Sequence, residues 1–302
     1  MLFAYIQLAM AMALVGSNIS IGKEIVSHVP VFLFSELRFL LAIVILLPLL
    51  AMRGEWKSSW SREEGNVLFW QSFFGVFLFS ICMLYGVQWT TATAAGIITS
   101  TVPACIALFS FWILKEKLHA NSLVAIGLSV GGISFITFTG SGVEQNWVSM
   151  LGNLFVFFAV VSEALFTIFA KRLSRSITPF QMTAAINVIS FVLFLPFAIW
   201  ESLRFDWSAV PANVWWLLVY YAFTASVLSF FLWYKGMEKV EASKAGLFTG
   251  MMPISAALVA VLFLNEAFTW MHGVGMILVL ASIFIGIQQP RRIRSSLEGE
   301  WK

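Results

Sequence analysis

Three ionisable residues stand inside long apolar runs of this 302-residue sequence: Glu36, Arg38 and Glu163. A charge at the centre of a bilayer costs at least about 2.5–3.5 kcal/mol on insertion scales. A chain that keeps one there uses it for chemistry or repays it with a partner. Glu163 lies about 15 residues into its run, which is near mid-bilayer at roughly 1.5 Å per residue. Its sequence neighbours are apolar. A carboxyl deprived of water favours its neutral form, so it can carry a proton at neutral pH and release it when opened to water. That is the behaviour of a proton-coupling group. The plainer alternative is a structural carboxyl, bonded to a neighbouring helix or paired with Arg38. Arg38 offers a planar fork of donors that suits the acid group of a zwitterionic solute. Its plainer alternative is a constitutive salt bridge between helices. Glu36 is two residues from Arg38 and so points to nearly the opposite side of a helix. Both cannot face one cavity, and Glu36 is expected to snorkel toward the membrane interface.

Weaker polar candidates for solute contact are Asn18, Asn187, Tyr85 and Tyr221. The asparagines serve equally well as helix–helix hydrogen bonds. Trp233 and Tyr234 sit near a span end, where aromatics usually form an interfacial belt. Other chemistries lack their parts. There is no HExxH, GxSxG or phosphate-loop pattern, so no enzyme is read here. His28, His119 and His272 are scattered and are read as loop residues, with no metal cluster and no cofactor expected. Cys82 and Cys105 fall at different depths on neighbouring antiparallel helices, so no disulfide is expected.

The elements that must position these residues follow from composition. The chain is 60% hydrophobic and 11% charged, with a mean hydropathy of +0.90. Soluble domains carry about 25% charged residues, so the composition requires a multi-pass membrane protein. No basic tract with interleaved aromatics suggests nucleic acid. Ten apolar runs of bilayer length are predicted, approximately at 2–22, 30–52, 67–88, 92–114, 122–140, 148–170, 179–200, 213–234, 243–264 and 269–289. The Lys and Arg residues of the connections gather on one side: Arg53, Lys57, Arg62, Lys115, Lys117, Lys171, Arg172, Arg175, Lys235, Lys239, Lys244 and the tail after Pro290. The other side holds Lys23 and Arg204. The positive-inside rule then puts both termini in the cytoplasm.

The chain is also written twice. Gly86, Ala92, Ala95, Gly96, Thr99, Pro103, Ala107, Leu108, Leu114 and Glu116 recur 150 positions later as Gly236, Ala242, Ala245, Gly246, Thr249, Pro253, Ala257, Leu258, Leu264 and Glu266. The shared glycine is expected in a turn. Each copy holds five spans, so the second enters the bilayer upside down, the arrangement of many secondary transporters. The division is 1–141 and 142–290, with a cytoplasmic tail at 291–302. Pro103 and Pro253 are expected near mid-span, where each frees the carbonyl four residues earlier and bends its helix, a pair of hinges. Gly127, Gly131 and Gly132 make a small face for close packing. Glu116 and Glu266 close their spans and are read as structural, receiving loop amides or lysine.

With these pieces in order, the sequence resembles the EamA family of the drug/metabolite transporter superfamily. The pieces that carry the resemblance are Ser35-Glu36-Leu37-Arg38-Phe39, Pro103 with Leu114-Lys115-Glu116-Lys117-Leu118, Pro253 with Leu264-Asn265-Glu266-Ala267-Phe268, and the glycine-bearing fifth and tenth spans. The family often has Trp-Gly where this chain has Val15-Gly16. The resemblance implies an all-α integral membrane protein of ten helices in two inverted five-helix repeats around a central cavity. It also implies export of small organic solutes such as amino acids, drugs or metallophores. Glu163 and Lys171 are spaced like an essential glutamate and a lysine eight residues on in the small multidrug transporters, which supports Glu163 as a proton site. The expected function is proton-coupled export of a small amphiphilic or zwitterionic metabolite across the plasma (cell inner) membrane by alternating access. A passive facilitator or importer is the alternative. The expected partners are the solute, protons and the lipid bilayer, with no nucleic acid and a monomeric chain.

Overall fold

The computed structural model describes residues 1–54, 60–90, 95, 98–137, 147–263 and 270–288. The second-copy Glu266 and Leu264, the first-copy Ala92 and Gly96, Lys57 and the tail lie outside the described residues. Within them the chain is helical, with no strand. Ten helices are numbered here in chain order: α1 Leu2–Val26, α2 Val31–Met52, α3 62–89, α4 Val102–Leu114, α5 Ala120–Thr137, α6 Trp147–Leu173, α7 Pro179–Ser202, α8 Ala212–Met237, α9 242–263 and α10 Trp270–Ile287. Each lies on one of the ten predicted runs, α4 beginning ten residues later than its run. Six stretches are apolar and long enough to cross a bilayer: α1, α2, most of α3, α6, α7 and α8. Large side chains such as Val44, Trp216, Ile277 and Phe284 are exposed on their outer faces, where lipid rather than water is their solvent.

Local sequence sets several boundaries. Ser61 and Glu64 form a reciprocal capping box at the start of α3, and Thr178 and Gln181 form another at the start of α7, with Pro179 in the first turn. The Glu201 carboxylate at the end of α7 accepts the Leu33 amide at the start of α2, at 2.8 Å. That contact puts the end of α7 and the start of α2 on one face. The end of α3 joins the same face through Thr90 and Asn153 of α6, and the end of α1 joins it by packing Ile25 and Val29 on Val214 of α8. The basic residues mark the other face. Arg172 at the end of α6 pairs with Glu63 at the start of α3, and Arg53 at the end of α2 lies over the Phe180 ring at the start of α7.

The packing pairs α2 with α7 and α5 with α10, while α3 and α4 both pack on α6, and α8 and α9 both pack on α1. Exchanging each helix with the one five places on returns the same pattern. The repeated glycines explain part of it. A Cβ on Gly86 of α3 would come within 2.7 Å of Val156 on α6, and one on Gly236 of α8 within 2.6 Å of Leu8 on α1. The expected glycine turn is therefore corrected: both residues lie inside helices and permit a close helix crossing. Gly132 does the same against Gly275 of α10, whereas Gly127 and Gly131 face open space.

Regular α-helix lapses just before both repeated prolines. A turn at Ser100–Thr101 precedes Pro103, which occupies the first turn of a new helical stretch. Phe248–Gly250 is a 3₁₀ turn just before the stretch that holds Pro253. Proline lacks the amide that would continue the α-helical ladder, so the regular pattern lapses in the turn before it. The sequence reading also missed a π-helical segment in each third helix of the repeat, Phe73–Leu78 in α3 and Ala222–Leu228 in α8. His272, expected in a loop, lies in the first turn of α10.

Candidate functional site

Glu163 stands midway along α6, on the side of that helix that turns into the bundle. Residues 152, 156, 159, 160, 163, 167 and 170 form one helical stripe of α6, and its members are buried except Glu163. The stripe lies opposite Leu154 and Phe158, which are exposed on the lipid side. Glu163 thus points inward, yet it keeps part of its surface accessible. Val160 and Ala164 beside it pack on Val102 and Ile106 of α4. No hydrogen bond or ion pair reaches Glu163 among the described residues. The structural alternatives, a helix bond or a pairing with Arg38, do not occur there.

Arg38 sits on α2 and is half-buried. Its Nη1 donates to Ser226 Oγ of α8 at 3.2 Å, and its guanidinium carbon lies 4.1 Å from the Phe39 ring centre and 5.9 Å from that of Tyr221. None of the ion pairs among the described residues includes it. Ser226 is a junction, since its carbonyl accepts the Asn187 amide nitrogen at 2.9 Å. Asn187 also donates to Thr183 O at 2.7 Å, while its Oδ1 is buried without a partner. Two residues earlier in α8, Thr224 Oγ1 accepts from Asn18 Nδ2 of α1 at 3.0 Å and donates to Tyr220 O at 2.8 Å. Thr224 and Ser226 both fall in the π segment of α8. The wider turn there brings them toward three other helices, and such segments often mark functional sites.

The structure therefore unites Arg38, Asn18, Asn187 and Tyr221 around one segment of α8. Tyr221 packs edge-on against Phe34 and over Gly22. It does not bring Tyr85 to them. Tyr85 is 38% exposed and packs with Trp89 and Phe155 near the end of α3. Glu36 is corrected too: it does not snorkel, but is 6% exposed with both carboxylate oxygens lacking hydrogen bonds. Trp233 and Tyr234, placed in the interfacial belt by sequence, are the largest fully buried side chains among the described residues. Gln71 of α3 donates to Tyr234 Oη at 3.1 Å and to Phe166 O of α6 at 3.4 Å. Sequence reasoning passed over Gln71, Thr224 and Ser226. The accumulation of Thr224, Ser226 and Ser229 in one span was the signal available.

A helical bundle with an inward carboxyl, an unneutralised arginine and a knot of amides belongs to the class of membrane carriers of small solutes. Comparison with known proteins agrees. The model of the EamA-like transporter family matches residues 2–138 and again 150–287. The chain is 42% identical over 290 residues to a Bacillus subtilis protein named "Uncharacterized transporter YetK", covering 96% of this chain and 88% of that one. It is 24% identical over 290 residues to an "Uncharacterized transporter" of Archaeoglobus fulgidus, covering 94% and 99%. A solved structure titled "Crystal structure of protein" has the same fold, with a TM-score of 0.80 at 16% identity over 94% of this chain and 97% of that one. The chain belongs to the EamA-like transporter family and is a multi-pass membrane transporter.

Proposed function

We propose that this transporter exports a small amphiphilic or zwitterionic metabolite, of the amino acid, drug or metallophore class, in exchange for protons bound at Glu163. The observation that carries the reading is the place of Glu163: on the inward stripe, accessible, and unneutralised by any described group. A carboxyl so placed can change charge only by taking a proton or a cationic solute. Competition between the two for one carboxylate gives exchange. Arg38 supplies the opposite charge, suited to a solute carboxylate, and the Asn18 and Asn187 amides supply hydrogen bonds.

The two family matches and the exchange-symmetric packing support two inverted repeats, 1–141 and 142–290, with a tail at 291–302. A site shared between inverted copies can be exposed to either face in turn. The turns before Pro103 and Pro253 serve as the hinges. The charge asymmetry of the loops supports a plasma (inner) membrane protein with both termini in the cytoplasm.

The test is solute efflux from loaded vesicles under an imposed proton gradient, comparing the wild type with Glu163→Gln. The wild-type rate follows the gradient. In the variant, exchange driven by the gradient is lost. A variant that still accelerates with the gradient removes Glu163 from coupling, and wild-type flux indifferent to the gradient makes the protein a passive facilitator.

A further inference from the structure

We propose that Glu116 is the latch that holds the carrier shut at its basic face, by capping the first turn of α9 from the far end of α4. The inference rests on the reading of the chain as an alternating-access carrier. Helix α4 ends in a π turn at Ser110–Leu114, and Lys115 then adopts a left-handed conformation, φ 59° and ψ 31°. It is the one non-glycine residue with positive φ among the described residues. A side chain there is held by its surroundings against an intrinsic cost. The reversal, fixed by the Glu116 amide donating to Ser110 O at 3.1 Å, carries the Glu116 carboxylate across to α9.

There it accepts three hydrogen bonds. Ala242 N donates to Oε1 at 2.8 Å, and Ser243 N and Ser243 Oγ donate to Oε2 at 3.0 and 2.8 Å. The residue positioned to cap α9 locally is Glu241, and it makes no such bond. It pairs instead with Lys244 at 2.9 Å. The cap of α9 is thus supplied by another helix. A neighbouring tie completes the closure: Lys171 Nζ at the end of α6 donates to Met237 O at the end of α8, at 2.7 Å. The ends of α4, α6, α8 and α9 are joined two by two at the same face. Glu163 lies eight residues above Lys171 on α6, roughly 12 Å along the axis.

The two helices that the latch joins are the two in which regular helix lapses before a proline. Helix α4, which begins just after the turn at Ser100–Thr101, and the part of α9 before the 3₁₀ turn at Phe248–Gly250 both lead to the basic face. Between turn and latch they touch closely, since a Cβ on Gly246 would lie 2.9 Å from Ile106. These two segments are the ones that must part for the cavity to open there, and Glu116 fastens their tips.

The test uses purified full-length protein in lipid nanodiscs, with Cys82→Ser, Cys105→Ser and Ile106→Cys so that one thiol reports on the contact between α4 and Gly246. A hydrophilic maleimide is the probe. Glu116→Ala is expected to raise the alkylation rate at least tenfold. Glu116→Gln is expected to fall between, because its amide oxygen still accepts, and it carries the measurement if the alanine variant does not fold. An unchanged rate overturns the proposal, even where hydrogen exchange shows the Ala242 and Ser243 amides unprotected, since Glu116 is then a static cap. An equal rise at a thiol on the buried α7 position, Ile186→Cys, also overturns it, since the variant has then loosened as a whole. Alkylation needs no solute. Failure of solute exchange with alkylation as expected strikes the carrier reading alone.

Discussion

Replacing Arg38 by methionine separates a working cation from a structural one. The compensation Arg38 receives is visible: one hydrogen bond to Ser226 and the rings of Phe39 at 4.1 Å and Tyr221 at 5.9 Å. A membrane hydrogen bond averages about 0.6 kcal/mol, and a cation–π contact gives about 0.5–2 kcal/mol. An arginine at the centre of a bilayer helix costs about 2.5–3.5 kcal/mol. Arg38 lies seven residues into α2, short of the centre, so cost and return are of similar size. Arg38→Met keeps the length and apolar stem and removes the charge. Its stability is expected to change by no more than about 1 kcal/mol, a Tm shift of roughly 2 °C in a chain of this size. Had Arg38 been half of a buried ion pair, breaking it would cost about 3–5 kcal/mol. Thermal unfolding in nanodiscs measures the shift, and efflux of carboxylate-bearing solutes measures function, which should fall at least tenfold. A Tm lower by more than about 5 °C would refute the reasoning, because it would mean that Arg38 is held by a partner whose loss the fold feels.

Other expectations follow from particular contacts. Gly16→Ala places a Cβ 2.1 Å from Met252 O and Ser255 Oγ of α9, so it should cost about 1–3 kcal/mol. Gly127→Ala meets nothing within 4 Å and should be neutral or stabilising by up to about 1 kcal/mol; paired unfolding curves compare them. Lys115→Gly removes a side chain from a left-handed position and should raise stability by about 1 kcal/mol, which chemical denaturation would detect. In the loop between α7 and α8, hydrogen bonds from the Ser208 hydroxyl and then the Ser208 amide hold the Asp206 carboxyl below its usual value. The loop is therefore stabilised above the ordinary carboxylate range and loses this as the pH falls through the lowered pKa. Hydrogen exchange at residues 207–209 should rise at acid pH, and Asp206→Asn should flatten that rise.

The sequence alone determined the number and placing of the helices, because a bilayer demands about 20 apolar residues per crossing and leaves little freedom in reading them. It determined the duplication, since glycine, proline and glutamate recurred at one spacing, and it singled out Glu163, a carboxyl that apolar neighbours make conspicuous. What the tertiary structure decided is which groups meet. Periodicity could not tell that Arg38 would face Ser226 instead of a carboxylate, nor that Trp233 and Tyr234 would be buried. In a helix apolar on every side, the sequence does not mark which face turns to lipid and which to protein. The same limit hid the tie between Glu116 and α9, whose partners are 126 residues apart. A carboxylate at a helix end looks alike in sequence whether it meets water or another helix, and only the folded chain supplies the amides that distinguish the two.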